Sequence, residues 1–195
     1  GRMEALLEAV DRDLNLVNTT LTDCTITTSA KSTFTGGIVG GATFVQVAQG
    51  THTNTVTAAA AGATVTIPAN TLAAGNTIHV KSYGRVTDNN STDTLTPVLK
   101  LGATAIGSGA ALDVADDDLV RVDAWITIRT AGSSGTLVAD GTIETDAAGG
   151  TKLLFTKAST AVNTTTALVL AMDFDWSVAH AENIYIQDQF IVNIF

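Results

Sequence analysis

The sequence predicts an all-β protein: a two-layer antiparallel β-sandwich preceded by a short N-terminal amphipathic helix. Three observations carry that reading. About one residue in six of the 195 is Thr, aromatic residues are 5% and charged residues 15%, a balance that favours strands over helices. From Leu21 onward, segments rich in Thr, Val and Ile alternate with period two between turn signals. No helical periodicity interleaves with them, which excludes a helical bundle and a doubly wound α/β fold. The apolar fraction of 45% excludes a disordered chain. A chain of this length can bury a sizeable core without metal or disulfide.

The first element, residues 1–21, is the helix. Met3, Leu7, Val10, Leu14, Val17 and Leu21 follow the four-three spacing of a heptad seam, with Glu4, Glu8, Asp11 and Arg12 off it. Leu alternating with Met or β-branched residues suits an assembly of more than two strands. The same pattern also suits an amphipathic helix folded onto its own domain, and both readings stand at this point. Asn15, Asn18, Thr19 and Thr20 weaken helix propensity and end the helix near residue 18. Residues 22–61 read as an irregular connecting or anchoring segment. It holds short strands near 22–28, 33–35, 43–48 and 54–57, interrupted by Gly36-Gly37 and Gly40-Gly41.

The sandwich is expected over 62–195. Its strands lie near 63–67, 76–88, 92–101, 119–130, 136–145, 151–157, 166–176 and 183–195. Asp88-Asn89-Asn90, Gly107-Ser108-Gly109, Gly132-Ser133-Ser134-Gly135 and Gly149-Gly150 are the turn signals between them. Alternation assigns the faces. Ile78, Val80 and Val86 point inward, with His79, Lys81, Tyr83 and Arg85 outward. Val120, Val122, Ala124, Ile126 and Ile128 point inward, with Arg121, Asp123, Trp125, Thr127 and Arg129 outward. Leu168, Leu170, Met172, Phe174 and Trp176 form one face of the next long strand. In the last strand Ile184, Ile186, Phe190, Val192 and Ile194 line up, with Asp188 the one intruder. A one-residue slip would turn any such face to water, so the register is strongly specified.

Charge and motifs narrow the function. The net charge of −9 and the scattered 10 basic residues argue against nucleic acid and anionic membranes as partners. No apolar run approaches the ~18 residues of a membrane helix. Acidic residues among the first apolar ones argue against a secretory signal. The single Cys24 reads as a packing residue. His52, His79 and His180 are dispersed and lack ligand spacing. Ser108 and Ser133 sit in glycine-rich turns without a nucleophile elbow. The Gly36–Gly41 stretch lacks the Lys of a phosphate loop. These features predict no catalytic residue, no metal and no cofactor, with one alternative. Asp113, Asp116, Asp117 and Asp118 crowd one loop, which reads either as a solvated turn or as a Ca²⁺ site. The outward row Tyr83, Arg85, Arg121, Trp125 and Arg129 forms one cluster if strands 76–88 and 119–130 share a sheet. Such a cluster suits a protein interface, with stacking on a sugar ring or ordinary exposed surface as the alternatives.

The stretch TVTIPANTLAAGNTIHVKSYGRVTDNNSTDTLTPVLKLGATAI, residues 64–106, carries a resemblance. It resembles a recurrent module of tailed-phage and prophage virion proteins. VRVDAWITIRTAGSSGTLVADGTI and ALVLAMDFDWSVAHAENIYIQDQFIVNIF look like later strands of that module, so the resemblance covers about residues 62–195. It implies a jelly-roll sandwich and a non-enzymatic virion structural protein, either a capsid decoration or a fibre subunit. It also implies a location in the virion, while the heptad from Met3 to Leu21 and the outward Tyr83 and Trp125 predict a homo-oligomer, expected as a homotrimer. The first 60 residues lie outside the matched pattern and are expected to contact other virion proteins. The alternative is a receptor- or carbohydrate-binding module of a tail fibre.

Overall fold

The computed structural model describes residues 42–195, apart from 91 and 148–149. The predicted helix, its seam residues Met3, Leu7, Val10, Leu14, Val17 and Leu21, Cys24, and the expected strands at 22–28 and 33–35 lie outside the described residues. Thirteen strands run through the described part: β1 (Ala42–Val45), β2 (Gly50–Thr53), β3 (Ala59–Ala60), β4 (Val65–Ile67), β5 (Thr77–Asp88), β6 (Thr94–Leu101), β7 (Thr104–Ser108), β8 (Leu112–Asp113), β9 (Leu119–Thr130), β10 (Gly135–Thr145), β11 (Thr151–Val162), β12 (Leu168–Trp176) and β13 (Ile184–Ile194). The segment expected to be a connection contributes β1 and β2, which pair with β13, and β3, which pairs with β12. The sandwich therefore extends to Ala42 rather than starting at residue 62.

The strands form two antiparallel sheets. The seven-stranded sheet runs β1-β13-β5-β9-β10-β11, with β2 also on β13. The six-stranded sheet runs β3-β12-β6-β7, with β4 on β12 and β8 on β6. Their inner faces share one apolar core, and the alternation read from β5, β9 and β12 is what fills it. Ile78, Val80, Val122, Ala124 and Ile126 from one sheet meet Leu95, Leu99, Leu170, Met172 and Phe174 from the other. Each fully buried Val, Leu or Ile contributes roughly 1.5–3 kcal/mol over an exposed one. Aromatic rings join the layers at one end. Phe174 on β12 meets Tyr185 on β13 at 4.1 Å between ring centroids. The Trp176 indole N–H donates to the His52 carbonyl at 3.4 Å.

Strand β13 departs from the expected alternation. Tyr185 and Gln187 face the core, while Ile184 and Ile186 are half-buried on the other side. The register against β5 shifts between Gln187 and Gln189, a β-bulge at Asp188. A bulge adds one residue to one strand, so the side chains beyond it change face. Phe190 and Val192 are thereby inward again. The bulge leaves the Asp188 carboxylate outside, where it accepts Arg85 at 2.5 Å and Gln49 at 2.5 Å. The intruding charge in the sequence is the residue the bulge accommodates.

Two further placements follow from local chemistry. Pro97 lies mid-strand in β6, opposite Phe174. On its other side β8 pairs only as far as Leu95 and β7 begins at Val98. The Pro97 carbonyl accepts the Gly109 amide at 2.9 Å, so its missing N–H faces this break and no ladder bond is lost. Strand β11 ends the seven-stranded sheet, and among the described residues no strand pairs on its outer side. On it, half-buried Leu153, Phe155 and Lys157 alternate with exposed Lys152, Leu154 and Thr156. The Phe155 ring is wedged between the sheets over two glycines. A Cβ at Gly107 would lie 2.5 Å from it and one at Gly141 2.6 Å.

Candidate binding face

Strands β5 and β9 are direct neighbours, so the outward residues read from each share one surface. Three cross-strand rows follow from the register. Tyr83, Arg121, Glu144 and Lys152 form one row, Lys81, Asp123, Thr142 and Leu154 the next, and His79, Trp125, Asp140 and Thr156 the third. Directly opposed side chains on adjacent strands are neighbours about 4.5–5.5 Å apart. Long side chains in the outer rows flank the shorter Asp123 and Thr142 in the middle one. The result is an open groove of about 470 Å³.

The walls are held by internal contacts. The imidazole of His79 stacks on the Trp125 indole at 3.9 Å and 6°. His79 Nε2 lies 2.8 Å from Asp123 Oδ1, which fixes the imidazole in place. Lys81 reaches the other Asp123 oxygen at 3.8 Å. Glu144 and Lys152 pair at 2.6 Å. Phe195 lies 6.2 Å from Trp125 in a near-parallel stack. Trp125 remains 42% exposed. Among the described residues Arg121 and Asp140 make no ion pair.

Of the row named from the sequence, the structure gathers Tyr83, Arg121 and Trp125 around the groove. Arg85 turns away to Asp188. Arg129 lies near the end of β9, beside the register shift at Thr136, and does not line the groove. Sequence reading missed the contribution of Asp140, Thr142, Glu144 and Lys152. Their signal was the polar half of the alternation in 136–145 and 151–157, but alternation alone does not say which strand stands beside which.

The aspartate loop is built as a turn. Asp118 Oδ2 accepts the Ala115 amide at 2.6 Å, and Asp116 Oδ1 accepts the Asn89 amide at 2.8 Å. Asp117 sits at φ 69°, its amide donating to the Val86 carbonyl at 2.8 Å. Asp113 is exposed on β8. Among the described residues no three His, Cys, Asp or Glu side chains gather where one metal ion could be held.

Among the described residues, the titratable groups with displaced equilibria lie elsewhere, inside the sandwich. Burial holds His52 below the ordinary imidazole value, against the opposing pull of Asp175 and Asp173. Burial pushes the Tyr185 hydroxyl up, so it stays protonated. Nearby, Gln187 donates to Ser82 at 2.9 Å and Gln46 donates to the Gln187 carbonyl at 3.0 Å. These groups face the core, not the groove. His180 sits beside Glu182 on an exposed loop, 3.9 Å away. No family model matches the chain, and no curated protein matches it.

Proposed function

We propose that this chain is a non-enzymatic structural protein of a bacteriophage virion: a surface-exposed capsid decoration or fibre subunit assembling as a homotrimer. The sandwich is then of the jelly-roll type. One observation carries this reading: the motif residues behind the virion resemblance act as architecture. In IPANTLAAGN, the turn between β4 and β5, Asn70 takes φ 60° and Gly75 takes φ 95°. The Asn70 amide donates to the Thr164 carbonyl at 2.8 Å and the Gly75 amide to the Ile128 carbonyl at 2.8 Å, which ties the turn to β9 and to the loop joining β11 to β12. Asn76 accepts the Ala73 amide at 2.7 Å and donates to the Phe195 carbonyl at 3.1 Å. In NSTDTLT, Asp93 is buried against Asn183 at 2.9 Å. A motif that specifies turns marks a shared scaffold rather than a shared reaction.

The heptad from Met3 to Leu21 supplies the trimer seam in this reading, and the N-terminal region contacts other virion proteins. Sedimentation of the full chain is expected to give three times the 20.0 kDa chain mass. Leu7→Asp with Leu14→Asp is expected to shift it to monomer, because each chain then places a charge in the seam. Antibodies against the sandwich are expected to label intact particles. A monomer at micromolar concentration would end the trimer assignment, and unlabelled particles would end the virion assignment.

A further inference from the structure

We propose that the groove on the outer face of the seven-stranded sheet binds a neutral pyranose unit of an oligosaccharide. The sugar packs on the free part of the Trp125 indole and is hydrogen-bonded by Arg121, Asp140 and the Tyr83 hydroxyl. This site does not rest on the virion reading. A pyranose presents an aliphatic C–H face and a rim of hydroxyls. The first needs a flat, rigid apolar plane, and the second needs planar or bidentate polar groups around it. Both are present. His79 covers one side of Trp125 and is itself anchored on Asp123, so the indole is already ordered before a ligand arrives. Preorganisation lowers the entropy lost on binding.

Charge selects the ligand class. Asp123 is engaged by His79 and Lys81, and Glu144 by Lys152. Arg121 and Asp140 remain without an ion pair among the described residues, one positive and one negative. That balance suits hydroxyls, whereas a phosphate or polyanion would meet three carboxylates lining the groove. The volume of about 470 Å³ falls in the roughly 300–1,000 Å³ range of small-molecule sites. Charged residues are depleted from the cores of protein interfaces, so this floor is poorly suited to a dry contact with a second copy.

The two tryptophans make the test direct. Trp176 is 1% exposed and Trp125 42%, so iodide quenches the second and spares the first. The full chain is titrated with cellobiose, maltose, lactose and N,N′-diacetylchitobiose. At least one is expected to shield Trp125 saturably with a Kd of ~1–10 mM, the weak end of the affinity scale. By calorimetry Trp125→Ala and Arg121→Ala are each expected to weaken that binding about tenfold or more. The unchanged emission of Trp176 reports that the Arg121→Ala and Trp125→Ala proteins are folded. The proposal is overturned if no disaccharide gives saturable shielding, or if affinity survives Trp125→Ala. It is also overturned if shielding follows protein concentration instead of sugar and the chains dissociate in Trp125→Ala. That last result makes the face a contact between copies.

Discussion

At the residue scale, Asn183 shows how much one side chain can join. It is fully buried, and its Nδ2 donates to Asp93 Oδ2 and to the Val178 carbonyl, each at 2.9 Å. Its Oδ1 accepts the Asn90 amide at 2.9 Å. The loops entering β6 and β13 are thus held on one amide. Asn183→Ala strands these partners, and an expected loss of about 2–3 kcal/mol is measurable by denaturant unfolding. Asn183→Asp is expected to cost more, because it sets a second carboxylate against Asp93. Nothing in the sequence marked this residue, since its partners Asn90 and Asp93 lie about ninety positions away and meet it only when the sandwich closes. His52 gives a pH signature. Its folded-state equilibrium is depressed by burial, so the unfolded chain binds the proton more readily. Its contribution is present above the ordinary imidazole value of about 6.5 and is lost progressively as pH falls below it. The melting temperature is expected to fall over that window, and His52→Gln is expected to flatten the slope while His79 and His180 are retained.

At the element scale, the long strands were legible and their irregularities were not. β5, β9 and β12 read correctly because one face is buried along the whole length, which imposes period two on the sequence. β13 broke the pattern because its bulge changes the phase midway, and alternation carries no mark of where a register shifts. Inserting one residue after Asp188 is expected to disrupt the fold more than deleting Asp188 does. Insertion sets two extra residues against β5 where the bulge accommodates one, whereas deletion removes the bulge, restores unbroken alternation with Tyr185, Gln187, Phe190 and Val192 all inward, and loses only the contacts of Asp188 with Arg85 and Gln49. Thermal unfolding of the two variants separates these outcomes. The contact of β11 with β7 through Phe155 is a second such element. Gly107→Ala pushes a methyl group into the ring and is expected to cost about 1–3 kcal/mol. In a Phe155→Leu background the same change is expected to cost less, and the non-additivity is read from the double-mutant cycle.

At the scale of the whole molecule, the all-β class and the half-buried strands came from composition and period, which report burial directly. The neighbours of each strand did not, because pairing across the chain leaves no local trace. That is why Tyr83, Arg121 and Trp125 could be named in advance while Asp140 and Lys152 on the adjoining strands could not. It is also why 42–61 read as a connection. Three strands there are too short to show a period, yet they complete the edges of both sheets. A chain beginning at residue 62 is expected to lose cooperative unfolding, since it leaves β13 and β12 without the strands β1 to β3. Lys157 has a consequence for any setting that crowds many copies together. Among the described residues its twelve-residue strand keeps one backbone side free, and such an edge invites another strand to add to it, then another, without end. A charge aimed inward from such a strand cannot be dehydrated between stacked chains, so growth stops at the edge. Replacing it by Val is expected to leave the single molecule folded and to turn a clear solution into one that scatters light and binds thioflavin.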